Sequence, residues 1–273
     1  MTAAEATARE ADRIIELRSK AKMAHSLIYV AVLAVAIWSI KTTIIDDTDW
    51  ARLGSVANVL ESIGEFVGID WGLIPNLLEP AIETIMVATL GTLLGVVLCV
   101  PAIWFGALNI TPYAPVTYPL ARLMMTLSRS IHEIVWGLFF VAAVGLGALA
   151  GVLAIAVRSV GFIAKMTAES IEDLDPKPVE AIRAVGGSEF QIFIYAILPQ
   201  VLPVMIGVII FEWEINIRRS SILGLVGAGG LGLVFFRQLN TFNYHGVTTT
   251  ILAILVLILF GEMVSYYVRK AII

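Results

Sequence analysis

Residues 84–108 form a run of 25 positions without one charged side chain. About 20 apolar residues cross the hydrocarbon core of a bilayer as a helix, so this run is long enough to do so. Residues 24–40, 134–157, 192–211 and 238–261 also lack Asp, Glu, Lys and Arg. Inside lipid every backbone amide needs a partner within its own segment, which makes such runs helices. The expected fold is therefore all-α, with several membrane crossings. Composition agrees: 59% of the residues are hydrophobic and 15% charged, against roughly 45–50% and 25% in soluble domains. That excludes an ordinary soluble enzyme and a disordered chain. A net charge of −4 argues against a nucleic-acid partner.

The run 134–157 is interrupted by Gly145-Leu146-Gly147. Cutting there gives spans at 120–144 and 148–171 and a total of six. Merging them would give five and invert the C-terminus. Basic residues in short flanking segments face the cytoplasm. Arg9, Arg13, Arg18, Lys20 and Lys22 place the arm 1–23 inside. Six spans then also put Lys177, Arg183, Arg269 and Lys270 inside. The external segment 41–79 holds Lys41 and Arg52 against Asp46, Asp47, Asp49, Glu61, Glu65, Asp70 and Glu79. The expected organisation is a cytoplasmic arm (1–23), a first span (24–40), this acidic external segment and a core (80–270). Leu53, Val56, Leu60, Ile63 and Val67 recur at helical spacing, so the external segment should carry an amphipathic helix at the membrane surface.

Cys99 is the only cysteine, and His25, His132 and His245 are scattered. Neither a disulfide nor a metal centre is expected, and no acid/base pair or nucleophile suggests catalysis. Gly227-Ala228-Gly229-Gly230-Leu231-Gly232 fits G-x-G-x-x-G, but it follows a membrane helix rather than a strand, so a dinucleotide site is not expected. No P-loop occurs, so this chain should not itself bind ATP. The glycines fit an external loop, 220–237, that lines or gates a path.

The cytoplasmic segment 172–191 is the most informative. Pro176 and Pro178 stop the preceding helix. A short helix over 179–185 should follow and end through a left-handed cap at Gly186 and Gly187. Glu180, Arg183 and Ala184 share one of its faces, and Ala181 and Ala184 leave room for another surface to approach. The sequence E-A-x-x-x-x-G, with L-P twelve residues on, resembles the coupling loop of ABC-importer permeases, with Glu180, Ala181, Gly186, Leu198 and Pro199 on its positions. R-S-I-H-E at 129–133, V-G-L-G-A-L-A-G at 144–151 and F-E-W-E-I-N-I-R-R-S-S-I-L-G-L-V-G-A-G-G-L-G at 211–232 look like the phosphonate-type permeases, which import phosphonate, phosphite or phosphate. The resemblance covers about residues 80–270. Ile182, Ala196 and His132 depart from the pattern, the last from a proline. The resemblance implies a type I importer fold in the cell membrane. It also implies a homodimer, two ATPase subunits carrying ATP and Mg, and an external solute-binding protein.

Charged groups inside spans are costly and mark function by default. Arg129 and Glu133 are spaced to pair, with Arg122 further back on that face. Lys165 is spaced to pair with Glu169. Glu212, Asn216 and Arg219 form one stripe near the outer end of the fifth span, and Glu214 and Arg218 form a second pair. The candidate path or gate is Arg129, Glu133, Glu214, Asn216, Arg218, Arg219, Gly227, Gly229 and Gly230. Its arginines suit an oxyanion, and structural ion pairing is the competing reading. An amino-acid permease and an ion-coupled transporter are the alternative functions.

Overall fold

The computed structural model describes residues 22–23, 25–47 and 56–272. The arm 1–21 lies outside the described residues, as do residues 48–55. The chain divides into two compact units, 1–62 and 63–273. In the first, α1 (His25–Asp46) is long and apolar enough to cross a membrane, and none of it is buried. Its last residues, Lys41–Asp46, widen into a π-helix. The amphipathic helix expected after it is α2 (Val56–Glu65).

Among its described residues the regular elements of the second unit are all helical. A 3₁₀ turn, Ile74–Leu77, leads into α3 (Leu78–Gly106). Then come α4 (Ala114–Ser130), α5 (Glu133–Val144), α6 (Ala148–Glu172), α7 (Pro176–Ala184) and α8 (Glu189–Ile192). A π-helical turn, Phe193–Ile197, joins α8 to α9 (Leu198–Leu223), and α10 (Gly230–Asn240) and α11 (Tyr244–Ile272) complete the unit. The π turn has a local cause. Pro199 has no N–H, and the Leu198 N–H reaches back five residues to the Phe193 carbonyl.

Among the described residues, five helical stretches have the length and hydropathy of a membrane span, and counting α4 and α5 together as one crossing gives a sixth. Residues 120–144 are not the straight span expected. α4 and α5 meet at 90°. Ile131 and His132 are extended, with ψ of 128° and 143°. The His132 ring nitrogen Nδ1 accepts the Ile134 N–H and so caps the new helix. The break at 145–147 is where the sequence puts it, with Gly145 at φ 91° and Gly147 at φ 136°.

Two other boundaries move. The fifth span does not stop at residue 211; helix continues to Leu223, so Glu212 lies well inside it. The expected loop 220–237 is a loop only around Gly227–Gly229, because α9 runs to Leu223, a 3₁₀ turn covers Gly224–Val226 and α10 starts at Gly230. The last span accordingly starts at Tyr244, after a turn in which Phe242 has φ 54°.

The glycine pair Gly91/Gly95 packs α3 onto α6 of the same chain. A Cβ on Gly91 would lie 2.6 Å from Ile155, and one on Gly95 2.7 Å from Ser159. Close approach of this kind replaces hydrophobic driving force within lipid. Gly95→Leu should overpack this contact and cost about 1–3 kcal/mol. Lower thermal stability of the detergent-purified protein, with Gly64→Ala as the unaffected control, checks it; Gly64 has open space around its Cα.

Two apolar layers hold the bundle. One gathers Cys99, Ile103, Met125, Ile163, Ile192, Ile197 and Val201. The other gathers Ala88, Ile217, Leu231 and Leu257, beside Val87, Ile155 and Leu223. On α3, α6 and α9 the residues between these layers are Thr92, Ser159 and Glu212, and they are polar.

Candidate functional site

The α7 segment is a small projecting helix fixed at both ends. Asp175 Oδ1 accepts the Lys177 N–H at 3.0 Å, and Pro176 occupies the first turn, where a missing N–H costs nothing. At the other end the Gly187 N–H donates to the Ile182 carbonyl at 3.0 Å, with Gly186 at φ 81°. This is the left-handed termination expected there. Ser188 and Gln191 then form a reciprocal capping box that starts α8. Val179 and Ile182 turn toward the apolar layer. Glu180, Ala181, Arg183, Ala184 and Val185 stay exposed. Beside them lies a cavity of about 550 Å³ bordered by Trp104, Asn109, Val179, Glu180, Arg183 and Glu189. Leu198 and Pro199 are not part of the projection; they start α9 at its base.

Between the two apolar layers sits a buried polar cluster. Glu212 Oε1 accepts from Arg219 Nη1 at 2.5 Å and from Ser159 Oγ at 3.2 Å. Asn216 donates to Thr92 and Ser159 at 2.8 and 2.9 Å, and its carbonyl accepts from Arg219 at 2.9 Å. Glu133, at the start of α5, stands 3.3 Å from Arg158 and 3.8 Å from Arg219. Two carboxylates face two guanidinium groups, so the cluster carries no net charge. Glu212 and Asn216 are wholly buried. Such a group survives in an apolar interior only because its partners are in place.

The expected Arg129–Glu133 pair does not form. The bend at Ile131–His132 separates the two residues, and the Arg129 carbonyl instead accepts from Arg158 at 2.9 Å. Arg158 thus belongs to the cluster rather than to a membrane interface. Lys165 pairs with Glu169 at 3.5 Å as spaced. Arg218 and Arg219 part company. Arg219 is enclosed, whereas the Arg218 side chain is 44% exposed and shares Glu214 with Arg269, each at 2.9 Å.

The glycine turn is pinned rather than loose. The Gly230 N–H donates to Glu83 Oε2 and the Leu231 N–H to Thr84 Oγ1, both at 2.9 Å. The Gly147 N–H donates to the Gly227 carbonyl at 2.9 Å. Gly227, Gly229 and Gly230 all have left-handed φ. Glu83, Thr84, Thr92 and Ser159 are partners that sequence reasoning did not single out, since isolated polar residues in an apolar run do not announce which helix they face. Glu83→Ala should free the Gly230 amide and loosen this turn by about 1–3 kcal/mol. Faster amide exchange confined to residues around the turn would show it.

Helices long and apolar enough to cross a membrane, packed around a buried polar cluster, define a polytopic membrane protein. Residues 96–273 match the binding-protein-dependent transport system inner membrane component family, and the chain belongs to that family. It is 35% identical over 243 residues to the phosphite transport system permease protein PtxC of Stutzerimonas stutzeri, covering 89% of this chain and 86% of that one. It is also 35% identical over 198 residues to the phosphate-import permease protein PhnE of Mycolicibacterium smegmatis, covering 72% of this chain and 37% of the relative. Among solved structures, an inward-facing MetNI methionine ABC transporter aligns with a TM-score of 0.66 at 21% identity, over 75% of this chain and all of that one. That likeness shows the type I importer permease fold. The protein is a multi-pass inner-membrane subunit.

Proposed function

We propose that this chain is the membrane subunit of an ATP-binding-cassette importer that brings a small phosphorus oxyanion, such as phosphite, phosphonate or phosphate, into the cytoplasm. The observation that carries the reading is the likeness to a phosphite permease along most of both chains. The geometry of α7 supports the ATP-driven part. A short, exposed, doubly capped helix is what a separate ATPase needs in order to push on the bundle. Its docking surface is Glu180, Ala181, Arg183, Ala184, Gly186 and Gly187, with Leu198 and Pro199 at the hinge below. Two copies of the chain pair with two ATPase subunits, which carry the ATP and Mg, and an external solute-binding protein delivers the anion. Both termini lie in the cytoplasm. Movement at α7 biases the bundle between outward- and inward-open states, a coupling free energy between distant sites.

Arg218, held by the buried Glu214, is an exposed charge of the candidate path. A guanidinium group left facing lipid is costly, so this face belongs to water or to the second copy. Gly227, Gly229 and Gly230 form the outer gate with Glu83. Glu133, Asn216 and Arg219 support the path from inside the bundle, and Arg129 lies near them.

The test is uptake into vesicles holding the chain, its ATPase and its binding protein. Phosphite, phosphonate and phosphate should enter in an ATP-dependent way and compete with one another. Uptake of an amino acid alone would overturn the solute assignment. Uptake driven by an ion gradient without the ATPase would overturn the importer itself.

A further inference from the structure

Arg122, in α4, joins three helices at one level. Its Nε donates to the Gly106 carbonyl at the end of α3, at 2.8 Å. Its Nη2 donates to Glu172 Oε2 at 2.7 Å and its Nη1 to Glu169 Oε1 at 3.3 Å, both in the last turns of α6. The other Glu172 oxygen accepts the Leu108 N–H at 2.9 Å, and Asn109 donates to the Ile171 carbonyl at 3.1 Å. The Arg122 guanidinium also lies over the Tyr118 ring, 5.1 Å from its centroid. One side chain therefore satisfies a helix-end carbonyl and holds the carboxylate that stands three residues before the Asp175 cap of α7.

The position matters because the other polar ties of α4 to α6 lie at its far end, where Ser128 donates to the Val157 carbonyl and accepts from the Gly161 amide. Among the described residues of α4 only Ala121 and Met125 are buried. The far end of the bent pair is gripped in the same ionic way, by Glu133 of α5 on Arg158 and Arg219. A line of charged contacts thus runs from the base of α7 through Glu172 and Arg122 into α4. The helix itself carries it from there to the 90° bend, beyond which Glu133 pairs with Arg158 and Arg219 in the buried cluster.

We propose that the bent pair α4–α5 is a lever and that Arg122, through Glu172, is the grip by which displacement of α7 turns it. Arg122 is a positioning residue: it touches no solute and acts through the helices it ties. This inference rests on the ATP-coupled importer reading above. It goes beyond that reading by naming the contact through which the bundle receives the movement. A proposed line of coupling needs evidence beyond adjacency, so the decisive readout is the ratio of ATP hydrolysed to solute moved.

The assay uses vesicles of the complete transporter, with phosphite as probe. Arg122→Gln should lower uptake by roughly tenfold, the size of a typical coupling term. ATP hydrolysis should persist, so the ATP used per phosphite rises. Glu172→Gln should do the same. Arg122→Lys, which keeps a cation for the Glu172 carboxylate, should retain much of the ratio. An unchanged ratio in Arg122→Gln and Glu172→Gln would overturn the inference, as would a fall in uptake and hydrolysis in equal proportion to the amount of folded protein. Wild-type vesicles with no ATP-dependent uptake of phosphite, phosphonate or phosphate would instead sink the importer reading.

Discussion

Glu180→Lys is expected to abolish ATP-driven uptake while the protein reaches the membrane in normal amount. The side chain is exposed on α7, and α7 buries no residue of its own. Reversing its charge therefore removes nothing from the fold. What it changes is the surface offered to the ATPase, where a like-charge contact works against docking. Loss of even 1–3 kcal/mol of coupling corresponds to roughly 5–150-fold. Gly186→Val works differently. No atom approaches within 4 Å of where its Cβ would go, so its cost is backbone strain at φ 81°, about 1–3 kcal/mol. That strain tilts or unwinds the end of the knob rather than reversing its charge, and its effect on uptake should be the smaller of the two. Uptake and membrane abundance measured side by side separate the cases. Normal uptake in a well-expressed Glu180→Lys protein would rule out α7 as the docking element.

The parts of this fold that follow from local chemistry were legible in the sequence, and those that depend on meeting a second helix were not. Long uncharged runs, the Gly145–Gly147 break and the proline-to-glycine bounds of α7 each arise from a few adjacent residues. The bend at Ile131–His132 turns on a single ring nitrogen capping a helix, which an apolar count from 120 to 144 smooths over. Placing Glu212 at a helix end followed from stopping the span where charge begins. In the structure helix continues, because Arg219, two turns further along the same helix, and Ser159 of α6 both bond the Glu212 carboxylate. The i,i+4 rule found Glu214–Arg218 and Lys165–Glu169, where helix is unbroken. It failed for Arg129–Glu133, where it is broken. Gly91 and Gly95 stand four residues apart on α3, and only the structure shows that the neighbour they admit is α6.

The buried cluster supplies the largest expected effect on stability. Arg219→Leu leaves Glu212, with no exposed surface, holding one hydrogen bond from Ser159 at 3.2 Å. Its second oxygen already has no hydrogen-bond partner. Breaking one side of a buried ion pair costs about 3–5 kcal/mol, since the remaining charge is stranded. Marginal proteins have only about 5–15 kcal/mol in total, so this variant should appear at strongly reduced level and melt early. Removing both partners is a different experiment. With Arg219→Leu and Glu212→Met together, no charge is stranded. Asn216 keeps Thr92 and Ser159, and Glu133 keeps Arg158. Apolar replacement of a complete pair is often neutral, so the double variant should recover most of the lost stability. Thermal unfolding of the two single variants and the double one, in one detergent, gives the interaction directly. Additive losses would mean that Arg219 and Glu212 do not support each other. Recovered stability without recovered uptake would show that the cluster also serves transport, because an apolar pair packs the bundle but cannot exchange partners as the helices move.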